Sequence, residues 1–116
     1  MQNPGPNLSA AIALFNDGAY FEAHEVLEAE WLHAPHAGRY FLQAIIHMAV
    51  AWHHATGGNL RGALRQVDKG LRKLAGYLPD CHGIDTAALY RNAQSWQSDW
   101  RSGRTVAERA TIGLKR

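Results

Sequence analysis

One segment constrains the fold more than any other. From Arg39 to Thr56 the chain reads RYFLQAIIHMAVAWHHAT. Wound at about 100° per residue, Phe41, Leu42, Ile45, Ile46, Met48, Ala49, Val50 and Trp52 cover almost the whole circumference. A helix that is apolar nearly all round is enclosed by other helices. A membrane span is excluded, because no apolar run approaches the ~20 residues one needs and this segment carries His47, His53 and His54. Its one polar stripe is made by Gln43, His47 and His54, which fall within roughly 40° of one another, with Tyr40 near the same line.

The flanking sequence supplies the enclosing elements. Asn7 or Ser9 can cap a first helix through Phe15, and Asn16-Asp17-Gly18 reads as its stop. A second helix spans Ala19 to Leu32. His33 to Gly38 breaks it, since Pro35 cannot continue a helix and biases Ala34 away from the helical region. Gly57-Gly58-Asn59 ends the central helix and caps a fourth, expected from Leu60 to Leu78. There Leu60, Leu64, Val67, Leu71, Leu74 and Leu78 form the buried stripe. Arg61, Arg65, Lys69, Arg72 and Lys73 form a basic outer face, and Pro79 stops the helix. Asp85 or Thr86 caps a fifth helix reaching Trp100, with Leu89, Ala93, Trp96 and Trp100 on one side. The two tryptophans either dock that helix on the core or form a dimer seam.

Strict alternation of apolar and polar residues is absent, so no strand is expected. The reading is an all-α protein: a single bundle of five helices around the buried helix 39–56. A flexible arm (1–7) precedes the helical domain (8–100), and a basic tail (101–116) with little to bury follows it. The 116 residues fit one domain. Cys81 is the sole cysteine, which rules out an internal disulfide or a cysteine metal knuckle. The opening MQNPGPN has neither a basic region nor an apolar core, so it is not a signal peptide. Together these point to the cytoplasm.

Seven histidines are many for this length, and their placement suggests where chemistry lies. In the second helix, YFEAHEVLEAEW, place His24 at zero. Tyr20, Phe21, Leu27, Trp31 and Leu32 then fall within roughly 80° of it, and Glu28 about 40° away. A histidine and a glutamate inside an aromatic stripe require partners, a metal or shifted pKa values. A faint repeat, GAYFEAHEVLEAEW over GNLRGALRQVDKGL, sets His24 opposite Leu64 and also argues for an inward His24. The candidate polar site is therefore His24, Glu25, Glu28, Gln43, His47 and His54, with Tyr20 and Trp31 as pocket aromatics. Its compact subset, His24, Glu28 and His47, is the set expected to hold a divalent transition metal. Two imidazoles and a carboxylate suit zinc, iron or manganese, and an open position would allow hydrolytic or redox chemistry, with a metal-dependent hydrolase as the first enzyme reading. No HExxH or ExxH pair supports that chemistry. The same residues also read as a hydrogen-bonded network tying two helices together, the plainer account of the two, in a helical-hairpin module that binds another protein. A small ligand, a protein partner and self-association stay open. Nucleic-acid binding through the basic fourth helix is disfavoured, because no aromatics interleave on that face and the net charge is only +2.

Three blocks resemble a known family. Tyr20, Phe21, Glu22, Ala23, His24, Glu25, Leu27, Glu28 and Trp31 form the first; Phe41, Leu42 and Gln43 the second; His54, Gly58 and Asn59 the third. Their pattern is similar to that of the domain-of-unknown-function family 309, over roughly Leu14 to Leu74. The resemblance implies a compact helical domain with one central buried helix and carries no established activity. Ala44 stands where the family usually has Gly, and His47 where Gln is common. The resemblance thus shifts weight toward His24, Glu25, Glu28, Gln43 and His54.

Overall fold

A computed structural model of the chain describes residues 6–104 and 110–114. Five α-helices follow one another: α1 (Pro6–Asn16), α2 (Tyr20–His33), α3 (His36–Thr56), α4 (Leu60–Leu74) and α5 (Thr86–Arg101), with a 3-10 turn at Ala75–Tyr77 between α4 and α5. Local chemistry sets the boundaries. Asn59 caps α4, its Oδ1 accepting from the Gly62 N–H at 2.9 Å. Asp85 caps α5 in the same way, accepting from the Ala88 N–H at 3.0 Å. Gly58, at φ +82, makes the left-handed turn between α3 and α4 that a side chain would strain. Pro35 sits just outside α3, where its fixed φ is no obstacle, so α3 begins at His36 and not at Arg39. Helix α4 stops at Leu74; Leu78 lies beyond the 3-10 turn and is exposed rather than part of the buried stripe.

Successive helices pack on their neighbours, and the α3–α4 interface is the most extensive. Short connections favour such antiparallel pairs. The centre is aromatic. The Trp52 ring lies 5.6 Å from Tyr20, 5.3 Å from Trp96 and 5.3 Å from Trp100, and Phe15 meets Tyr20 edge-on at 5.1 Å. Four helices are tied through this one cluster, at distances typical of favourable aromatic pairs. Trp96 and Trp100 therefore dock α5 on the core, and both are buried. Tyr20 belongs to the same cluster and is buried within it.

The enclosure of α3 is nearly complete. Phe41, Leu42, Ala44, Ile45, Met48, Ala49, Ala51 and Trp52 are buried, while Gln43, Ile46, His47, Val50 and His54 form a half-covered stripe. The 101–116 segment also departs from expectation. Ala110 and Ile112 are buried. The side-chain amide of Asn16, the last residue of α1, grips Ile112 twice: Oδ1 accepts from its N–H at 2.7 Å and Nδ2 donates to its carbonyl at 3.1 Å. Asp85 N–H donates to the Gly113 carbonyl at 2.9 Å. The expected flexible arm falls mostly on residues 1–5, which lie outside the described residues, and α1 already includes Pro6 and Asn7. Among the described residues no strand occurs beyond isolated bridges, and no helix is long and apolar enough to cross a membrane.

Candidate functional site

The buried face of α2 is not centred on His24. Tyr20, Ala23 and Leu27 are its buried residues, and they centre roughly 60° to one side of His24 around the axis. The arc drawn from the sequence was rotated by that amount. Phe21 and Leu32, at its far edge, are 47% and 62% exposed. His24 consequently lies at the rim, and Glu28 beyond it. They pair with each other at i, i+4, Nε2 to Oε1 at 3.0 Å, the Glu28 side chain being 55% exposed. Leu64, the repeat partner of His24, is likewise only half-buried.

The inward polar chemistry belongs to α3 and α4. Helix α3 crosses α4 at Gly70. A Cβ there would stand 2.9 Å from Met48 Cε and 3.2 Å from His47 Cβ. Lying across that glycine, the His47 ring reaches α4 one turn to either side. Nδ1 lies 2.7 Å from Gln66 Oε1, and Nε2 lies 3.0 Å from Lys73 Nζ. An amide oxygen only accepts, so Nδ1 carries the proton, and the Nε2 lone pair faces the ammonium. Lys73 Nζ also donates to Gln43 Oε1 at 3.1 Å and stands 5.5 Å from the centroid of the Tyr40 ring. Burial holds the His47 imidazole below its ordinary range; the Gln66 bond partly opposes this, and the Lys73 and Lys69 charges add to it. Burial likewise lowers the Lys73 ammonium, with the Lys69 and Arg72 charges contributing. The arrangement is a neutral imidazole clamped between an amide and a cation.

This network forms one wall of a cleft of about 210 Å³ lined by Glu28, Trp31, Gln43, Ile46, His47 and Lys73. The Arg39 guanidinium stacks on Trp31 at 4.9 Å and donates to the Leu32 carbonyl at 3.2 Å. The buried N–H groups of Trp31 Nε1 and Arg39 Nε have no acceptor among the described residues. Buried donors without acceptors are uncommon and costly.

Four of the residues singled out from the sequence thus come together: Glu28, Trp31, Gln43 and His47. The others do not join them. Glu25 is exposed. His24 is engaged by Glu28 and by the Phe21 ring at 5.7 Å. His54 sits at the α3–α4 turn, Nδ1 3.4 Å from Asn59 Nδ2. The set His24, Glu28 and His47 is divided, because His47 turns both ring nitrogens to α4 while His24 bonds within α2. Among the described residues no three of His, Cys, Asp and Glu gather in a way that would hold a metal ion. Sequence reasoning passed over Gln66 and assigned Lys73 to the outer basic face. Gly62 and Gly70, glycines inside a regular helix, were the available signal of a close approach on that side of α4. His82, between the 3-10 turn and α5, packs its ring 5.3 Å from Phe41.

The profile of the domain of unknown function DUF309 matches residues 8–66, half of the chain. The chain belongs to this family. The match spans α1 to the middle of α4 and contains Glu28, Trp31, Gln43, His47 and Gln66, whereas Lys73 lies beyond it. No curated protein matches the chain. DUF309 membership assigns no activity, so function is argued from the cleft.

Proposed function

We propose that the protein binds a small organic anion in the α2–α3–α4 cleft. One observation carries this reading: the Lys73 ammonium is fixed at the cleft wall with two of its three N–H bonds spent on Gln43 and His47 among the described residues. A cation held in place by neutral partners keeps both its charge and a donor for a ligand. Holding it there in advance removes the entropy that a free lysine would lose on binding. Lys69 and Arg72, whose charges act on Lys73, add to the positive potential. Trp31 and Ile46 supply apolar wall for the body of the ligand. Glu28 stands at the same cleft with its charge directed to His24, which favours an acid group seated toward Lys73.

Titration with benzoate and with phenyl phosphate, followed by amide and indole NMR shifts, tests the reading. Saturable shifts at the Trp31 indole N–H and the Gln43 side-chain amide are expected. Lys73→Met keeps most of the stem and removes the charge, and should weaken binding about tenfold or more, the equivalent of one charge-assisted hydrogen bond. Shifts that do not saturate, or an unchanged affinity in Lys73→Met, would refute it.

A further inference from the structure

The cleft presents its cation in an unusual setting. A lysine amine is a nucleophile only when unprotonated, and proteins activate it by desolvation, by neighbouring cations and by a base within reach. All three meet at Lys73. The half-buried Lys73 lays its amine against Gln43 and His47 of α3, Lys69 and Arg72 act on it from its own helix, and an imidazole lone pair faces it at 3.0 Å. That lone pair is not there by chance of rotamer, since Gln66 Oε1 fixes the proton on the opposite ring nitrogen at 2.7 Å. A salt-bridged lysine would have its ammonium stabilised by a carboxylate; this one rests as an ammonium on two neutral acceptors, Nε2 and the Gln43 amide oxygen, which stabilise the charge less and leave a proton to be moved.

From this geometry we infer that Lys73 is a carbonyl-reactive amine, and that the cleft takes small aldehydes or ketones carrying an acid group and holds them as an imine on Nζ. The acid group rests on the anion-binding reading above; the reactive amine rests on the His47–Lys73–Gln43 geometry. The step balances without oxidant or reductant. His47 Nε2 accepts one proton from the ammonium. The Nζ lone pair adds to the carbonyl carbon while the carbonyl π pair moves to oxygen, and the now cationic nitrogen gives one of its two remaining protons to that oxygen. The nitrogen lone pair then forms the C=N bond as the carbinolamine hydroxyl leaves as water with the proton held by His47, which gives the protonated imine. One water is released per carbonyl consumed. His47 can return its proton to the departing oxygen, so its part is to move a proton at Nζ. Gln43 and Gln66 are positioning residues that hold the amine and the ring.

The chain provides its own controls, because it holds three lysines: Lys69, Lys73 and Lys115. Lys69 is exposed and lies one turn before Lys73 on α4. The test is incubation of the intact protein with glyoxylate and cyanoborohydride, which reduces an imine to a stable secondary amine, with the rate at each lysine read by peptide mass spectrometry. Lys73 should be modified about tenfold or more faster than Lys69 and Lys115 in the same tube, a threshold set below the roughly hundredfold at which a positioned base's contribution begins. In His47→Gln the preference should fall several-fold at Lys73 while Lys69 and Lys115 keep their rates. The wild-type ratio needs no variant, so a folding defect in His47→Gln cannot obscure it. Equal rates at Lys73 and Lys69 would overturn the inference. In that case a saturable benzoate shift would still leave the anion-binding reading standing. A strong Lys73 preference that benzoate neither competes with nor shares would support the reactive amine and refute the anion reading instead.

Discussion

Replacing Gly70 with alanine pits two effects of known size against each other. On an exposed helix the change gains about 1 kcal/mol, because alanine loses less conformational freedom. At Gly70 the new methyl would stand 2.9 Å from Met48 Cε and 3.2 Å from both Met48 Sδ and His47 Cβ. The methionine tip could yield elsewhere, but Met48 is fully buried, and the His47 Cβ is fixed to the α3 backbone. Overpacking of this kind costs about 1–3 kcal/mol. The net expectation is a loss of about 1 kcal/mol, which in a domain of this size lowers Tm by roughly 4 °C. Urea unfolding followed by circular dichroism measures it, with Gly76→Ala as the control, since a Cβ at Gly76 meets nothing within 4 Å. Separation of the two helices also lengthens the His47 bonds, so the His47 Nδ1–H resonance should move or broaden. A variant stabilised by about 1 kcal/mol with an unchanged imidazole resonance would refute the argument that Gly70 is where α3 seats the site on α4.

Further outcomes follow from the same structure. Asn16→Ala removes both bonds to Ile112 and should cost about 1–3 kcal/mol, with faster hydrogen exchange at the Ile112 amide; unchanged protection there would sink the clamp. The folded-state pKa of His47 is lowered, so at acid pH the unfolded chain takes up a proton that the folded one resists. Its contribution is therefore fully present above the unfolded value of about 6.5 and is lost as pH falls from there toward the lower folded value. Urea midpoints measured across that window should decline toward acid, and His47→Gln should flatten the slope. Burial, with the Asp80 charge adding to it, raises the Cys81 thiol. Iodoacetamide should accordingly label folded protein more slowly near pH 8 than urea-unfolded protein, and equal rates would contradict it.

The fold was largely legible because its signals are local. Asn59 and Asp85 announce two helix starts through their own side chains, and the residues from Phe41 to Trp52 announce a core helix through composition alone. The site was legible only in part. Glu28, Gln43 and His47 could be singled out because each is a polar residue set among apolar ones on its helix, and Trp31 because it shares the Glu28 face. Their partners could not. Lys73 sits at the boundary between the apolar and basic faces of α4, where periodicity gives no sign of which way a long side chain turns. Gln66 is unremarkable on any helix. The error on α2 has a definite physical source: Phe21 and Leu32 were counted as inward because they are apolar, and both are surface residues. Phe21 spends its ring on His24 at 5.7 Å and His53 at 5.3 Å instead of on the core. Apolar residues on the outside are common, and two of them were enough to turn the inferred axis of the helix. A similar limit hid the docking of Ile112, which depends on an amide 96 positions earlier.

That separation bears on how the protein is made. The packing of α1 on α2, α2 on α3 and α3 on α4 joins sequence neighbours, so each pair can close soon after its second helix leaves the ribosome. The carboxamide at the end of α1 has to wait. Until residue 112 emerges, Asn16 has neither of its Ile112 partners, and the ground that Ile112 will cover stays open to water. The domain is in this sense closed by a latch whose socket lies at the end of α1 and whose bolt follows α5. Any truncation that removes Ile112 would leave that socket empty however well the five helices had formed.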